Sequence, residues 1–142
     1  LGNGLPIGAM LARQTVAAAF SPGTHASTFG GTPLITAAAL ETVRTLEEEG
    51  VIARCADVGD YFKSKLITLK ERHKVVTDVR GMGLLLGMEL STECGPVVEA
   101  CMKKGFLINC IQERVLRFAP PLIISREEID ALVGCLDEVL DL

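Results

Sequence analysis

The apolar positions change period along this chain, and the changes divide it into elements. From Val51 to Arg72, Cys55, Val58, Phe62, Leu66 and Leu69 recur at three- and four-residue steps, while Arg54, Asp57, Lys65 and Lys70 fall outside the stripe. That spacing predicts a long amphipathic helix. The pattern then shortens to "VVTDVR", residues 75–80, and "LLLGMEL", residues 84–90, separated by "GMG". These runs predict an antiparallel hairpin, with glycine in the turn and again within the second strand. A short helix is expected over residues 96–104, ending at Gly105. "FLIN" and "VLRF" read as two further strands joined by the polar loop "CIQER", and "APP" ends the second. Ser125 and Glu128 have capping-box spacing. Ile129, Leu132, Val133, Leu136 and Leu140 then give a last helix one apolar face.

Ahead of Val51 the pattern is less regular. "IGAMLA", residues 7–12, reads as a short buried strand after a glycine-rich turn. Thr32 is placed to cap a helix, with Pro33 at the first helical position, where its missing N–H costs nothing. Ile35, Ala39, Val43 and Leu46 fall on one side of that helix, and Gly50 is its expected stop. From residue 51 the order is helix, hairpin, helix, two strands, helix. That is an α+β fold, a small and mostly antiparallel sheet covered by helices.

Composition narrows the picture. The 142 residues suffice for one domain, or for one and a piece of another. With 49% hydrophobic residues and no tryptophan, the core must be mainly aliphatic. A net charge of −4 with dispersed lysine and arginine argues against nucleic acid or an anionic membrane as partner. No apolar run approaches the ~20 residues of a membrane span. The chain opens "LGNGLPIGAML", without methionine and already within a pattern, which reads as a fragment. Its five cysteines are odd in number and lack C-x-x-C spacing, so reduced, mostly buried thiols in a cytoplasmic protein are expected.

Three places invite chemistry. "GTHASTFGGTP", residues 23–33, gathers glycines and hydroxyls before a helix start. Glycine lets backbone N–H groups approach a ligand, a helix N-terminus favours anions, and Ser27, Thr28 and Thr32 add donors. The stretch suits a phosphate, or else is a tight turn with a helix cap; no Gly-Lys-Thr/Ser follows, so it is not a P-loop. Arg117 sits among apolar neighbours in "VLRFAPP". It is either one half of a structural ion pair or a fork held open for a carboxylate. Arg80 poses the same choice and is expected to be structural, paired with Asp78, Glu89 or turn carbonyls. His25 reads as a turn residue and His73, in "KERHK", as a solvated one. No carboxylate pair or metal cluster emerges.

Four segments in order, "LGNGLPIGAMLA", "PGTHASTFGGTPL", "DVRGMGLLLGMEL" and "VLRFAPPLIISREEID", resemble the C-terminal third of a class-III, fold-type-I aminotransferase dependent on pyridoxal 5'-phosphate (PLP). The family usually carries Asn where this chain has Thr32. The resemblance implies that residues 1–35 end the large PLP-binding domain and that 36–142 form the small C-terminal domain, with a linking helix over about 33–49. It implies a homodimer in which Thr28, with Ser27 close by, binds the cofactor phosphate held by the neighbouring subunit. Arg117 would take the α-carboxylate of the amino-acid substrate. The family's Schiff-base lysine is expected just before Leu1, so no catalytic residue is expected within the chain, and the fragment alone should be inactive. The short "INCIQERVLRFAPPL" connection implies transfer of an amino group from N-acetylornithine to 2-oxoglutarate, in arginine biosynthesis. Other donors in the family (ornithine, succinylornithine, 4-aminobutyrate) and a non-catalytic binding or assembly module of the same fold are the alternatives.

Overall fold

The computed structural model describes residues 1–141, in two compact units divided between Gly50 and Val51. In the first unit the glycine-rich start makes a turn closed by a Gly2–Leu5 bridge. Residues 7–12 then run without regular structure, with Met10 and Leu11 exposed. The strand expected at "IGAMLA" does not form. A strand is defined by its ladder, and among the described residues no segment pairs with this one. A single helical turn follows, α1 (Gln14–Ala17). α2 (Pro33–Glu48) starts at the expected proline, and Ile35 and Ala39 on its apolar side are buried. Thr32 holds the N-cap position, but its side chain makes no capping bond. Only its carbonyl is used, accepting from the Thr36 N–H and hydroxyl.

The second unit is the expected α+β structure. α3 (Val51–Arg72) buries Val58, Phe62, Leu66 and Leu69, the stripe read from the sequence, and leaves Cys55 half-exposed. β1 (Val76–Met82) and β2 (Leu85–Leu90) form the hairpin, with Gly83 in the turn at φ 53°. α4 (Gly95–Lys103) is followed by β3 (Asn109–Ile111) and β4 (Val115–Phe118). Strand β3 starts at the end of "FLIN" and runs into "CIQER", because its ladder partners, Val115 to Arg117, lie opposite residues 109–111. Gln112 and Glu113 make the tight reversal at φ 50° and 62°. The sheet order is β1-β2-β4-β3, all neighbours antiparallel.

α5 (Arg126–Val139) begins at a complete capping box. The Ser125 hydroxyl accepts from the Glu128 N–H at 3.1 Å, and the Glu128 carboxylate accepts from the Ser125 N–H at 2.8 Å. Its buried face includes Ile129, Leu132 and Leu136, and also Cys135 and Val139. The core lies between the helices and one sheet face. Phe62, Leu66, Met88, Leu116, Ile129 and Leu136 are among its fully buried members, and Phe62 meets Phe118 edge to face at 5.3 Å.

The cysteines depart from the expectation of reduced thiols. Cys94, at the start of α4, and Cys110, in β3, form a disulfide with Cα atoms 5.7 Å apart. Their sequence separation is 16, so neither spacing nor count revealed the pair. The fold joins them because the edge strand returns beside the start of α4, where the Cys94 N–H donates to the Glu113 carbonyl at 2.8 Å.

Candidate functional site

Strand alternation decides which residues of the sheet can meet a ligand. Along β4, Leu116 and Phe118 point to the core, and Arg117 between them is exposed. The premise that Arg117 is buried among its apolar neighbours therefore fails: neighbours in sequence occupy the other face. On the outer face Arg117 sits in one cross-strand row, Arg80–Gly87–Arg117–Asn109, running through all four strands.

The two guanidinium groups of this row are in different states. Arg80 Nη1 donates to Asp78 Oδ2 at 2.8 Å and to Glu89 Oε2 at 2.5 Å. This is the structural pairing expected of it. The hydrogen bond from Arg80 holds the Asp78 carboxyl below its ordinary pKa, and the bonds that Arg80 donates to Asp78 and Glu89 raise the guanidinium's own. Arg117 has no carboxylate partner among the described residues. Its single side-chain bond runs from Nε to Asn109 Oδ1, at 3.2 Å. Among the described residues, neither terminal nitrogen has a protein acceptor. Arg117 also lines a cleft of about 560 Å³ with Phe106, Ile108, Phe118 and Pro120. The other charged residue in that lining is Glu128, already committed to the capping box. A cation with a free fork beside an apolar cleft can hold a carboxylate on an aliphatic stem.

The candidate phosphate stretch belongs to the first unit. Ser27 Oγ accepts from the Gly30 N–H at 2.9 Å, closing a small turn. A Cβ on Gly30 would lie 2.8 Å from that oxygen, and Gly31 has φ 84°, so both glycines serve the turn. Ser27 still has its hydroxyl proton to give. The Thr28 hydroxyl has no partner among the described residues, and Thr28 is exposed. Ser27, His25 and Gly31 line a hollow of about 890 Å³, and Thr28 is outside that lining. These groups can donate to an anion, which is the fit a phosphate requires.

His73 is not solvated. It is 6% exposed, with Nε2 at 2.7 Å from Asp137 and Nδ1 at 3.0 Å from Asp141. The ends of α3 and α5 meet there, a contact that the charged context of "KERHK" concealed. The hydrogen bond with His73 is the main cause that holds the Asp137 carboxyl below its ordinary pKa. Sequence reading also missed Arg54, whose guanidinium donates to the carbonyls of Leu122, Ile123 and Ile124 and so ties α3 to the segment after β4. Cys135 Sγ lies 3.8 Å from Cys101 Sγ, and burial, with the neighbouring thiol, pushes Cys101 up to about 12, which keeps it protonated and unreactive. Among the described residues no group of three or more His, Cys, Asp or Glu is placed to hold a metal ion, and no helix is long and apolar enough to cross a membrane.

Comparison with known proteins places these features in a context. Residues 1–140 match the family model described as Aminotransferase class-III. The chain is 50% identical over 140 residues to an acetylornithine aminotransferase of Aquifex aeolicus, covering 99% of this chain and 35% of that protein. It is 46% identical, also over 140 residues, to the acetylornithine aminotransferase of Methanothermobacter thermautotrophicus, covering 99% and 36%. Among solved structures it resembles acetylornithine aminotransferase from Elizabethkingia anophelis, with TM-score 0.78, 29% identity and coverage of 92% and 35%. It also resembles ornithine delta-aminotransferase from Plasmodium falciparum, with TM-score 0.82, 28% identity and the same coverage. The chain thus spans about a third of the length of the relatives it matches.

Proposed function

The chain belongs to the class-III aminotransferase family, and from that premise we propose that it is the C-terminal part of a PLP-dependent enzyme that moves the amino group of N-acetylornithine to 2-oxoglutarate. The donor is taken from the relatives named acetylornithine aminotransferases, at 46% and 50% identity. The observation that carries the reading is Arg117: an arginine at an apolar cleft whose terminal nitrogens meet no acceptor among the described residues. The 2-oxo acid of such a reaction carries a carboxylate beside its reacting carbon and an aliphatic chain beyond it, and the fork can serve that carboxylate.

Arg117 grips the carboxylate of the 2-oxo acid bidentately and thereby fixes the position of the adjoining reactive carbon. The apolar lining of the cleft receives the stem and excludes water from the ion pair, which strengthens it. Thr28, with Ser27, would hold the phosphate of PLP, by hydroxyl donation; on the family pattern this contact serves the neighbouring subunit of a homodimer. When bound, PLP would supply the electron sink that makes a proton on the amine-bearing carbon removable. In that reaction the residues of this chain contribute binding and orientation. The small domain is then residues 36–142, and residues 1–35 complete the large one. The setting would be arginine biosynthesis in the cytoplasm.

The test is made in the full-length enzyme. Arg117→Ala is expected to raise KM for the 2-oxo acid by about 10- to 100-fold, the loss of one charge-assisted fork. Arg117→Lys, which keeps charge but not the fork, recovers only part. Unchanged KM values would sink the assignment. Thr28→Ala should weaken PLP binding, and unaltered affinity for PLP would remove Thr28 from the phosphate site. Ornithine as donor is the second reading, favoured by the TM-score of 0.82 to an ornithine aminotransferase. A higher kcat/KM for ornithine than for N-acetylornithine would select it.

A further inference from the structure

We propose that Asn109 is a positioning residue: by accepting the Nε–H of Arg117 it orients the guanidinium so that both terminal nitrogens remain available to a substrate carboxylate. The inference rests on the reading of Arg117 as the carboxylate-binding residue.

Three observations lead to it. First, in the cross-strand row that contains Arg117, the neighbour on one side is Gly87, which has no side chain, and on the other is Asn109. Asn109 is therefore the one row neighbour that can steer the guanidinium sideways. Second, the contact is selective. Asn109 Oδ1 meets Nε at 3.2 Å, and no second bond to a terminal nitrogen is formed. A guanidinium has five donors and no acceptor, so the amide must turn its oxygen to Arg117. Third, the acceptor is neutral. It orients the fork without cancelling its charge. An aspartate of the same shape would pair with the guanidinium and compete with substrate for it. The anchor is also held firmly. β3 is an edge strand of three residues, but the residue next to Asn109 is Cys110, bonded to Cys94 at the start of α4.

The chemistry gives an order of effects that a purely structural role would not. In the full-length holoenzyme, Asn109→Ala should raise KM for the 2-oxo acid about 3- to 10-fold, with the loss falling on KM rather than kcat. Asn109→Asp, though nearly isosteric, should be worse than Asn109→Ala in KM. Asn109→Ser, a shorter neutral acceptor, should recover part of what alanine loses. Thermal midpoints are measured alongside. If Asn109 merely supports the strand, aspartate is the mildest of the three changes, and KM follows the midpoint; that result overturns the proposal. Arg117→Ala separates the two levels of inference. If it leaves KM unchanged, the carboxylate reading fails and Asn109 fails with it. If it raises KM while all Asn109 variants match the parent, only the positioning role falls.

Discussion

Gly59 and Gly134 both lie inside long helices, and replacing each by alanine should have opposite effects. The shared term is helix propensity, which favours alanine over glycine by about 1 kcal/mol. At Gly134, in α5, an added Cβ meets nothing within 4 Å, so the gain is unopposed. Gly134→Ala is expected to stabilise by up to about 1 kcal/mol. At Gly59, in α3, an added Cβ would overlap the carbonyl of Gly83 and lie 2.6 Å from its Cα. Non-bonded carbons rest at about 3.5–4.0 Å, so helix and hairpin turn must separate by about 1 Å. Both sides of the contact are backbone, and Gly83 is held at φ 53°, so neither yields as a side chain would. Overpacking of this kind costs about 1–3 kcal/mol, and the upper end applies where only backbone can move. After the propensity gain, Gly59→Ala should destabilise by about 2 kcal/mol. Thermal unfolding followed by far-UV circular dichroism reads both. At about 4 °C per kcal/mol, Gly134→Ala rises by up to about 4 °C and Gly59→Ala falls by about 8 °C. If Gly59→Ala raised the midpoint as Gly134→Ala does, the close approach of α3 to the β1–β2 turn would be refuted.

Two further expectations concern charge and covalent links. Asp137 has its folded-state pKa held below the ordinary carboxylate value, chiefly by the hydrogen bond with His73. Its stabilising contribution is therefore complete above the unfolded pKa of about 3.9 and is lost as pH falls through the lower folded value. The thermal midpoint of the parent should fall steeply below about pH 4, and that of Asp137→Asn less steeply; identical acid slopes would remove Asp137 from the cause. The Cys94–Cys110 disulfide closes a loop over a sequence separation of 16, worth about 3 kcal/mol by chain entropy. Reduction should lower the midpoint of the parent and leave Cys94→Ser unmoved, and a thiol count of five in the unreduced protein would contradict the bond.

Much of the second unit was legible because its information is periodic and local. The stripe of α3, the β1–β2 hairpin and the Ser125–Glu128 capping box each depend on residues within one or two turns of one another. What failed depended on partners distant in sequence. "IGAMLA" has strand composition, but composition supplies no ladder. His73 looks solvated beside Arg72 and Lys74, and is buried because the end of α5, more than sixty residues later, packs on it. Cys94 and Cys110 were invisible as a pair for the same reason. The expected fold class survived these errors because it rests on element order, which none of them changes.

Arg80 and Arg117 show why roles are harder to read than folds. Both are arginines of a strand, flanked by apolar residues, and in sequence they pose the same question. The cross-strand row answers it. Gly87 separates them, two strand spacings or about 10 Å apart. Glu89 follows Gly87 by two positions on the same strand, so it shares their face and lies diagonal to both arginines. It is bound to Arg80, which also holds Asp78. The hairpin arginine thus occupies the acid that could otherwise have neutralised Arg117. Its structural role and the open state of Arg117 are one arrangement: two carboxylates are gathered on one guanidinium, and the other is left with a neutral amide. On the proposed reading of Arg117, the anion site depends as much on where the acids are drawn away as on where the base is placed.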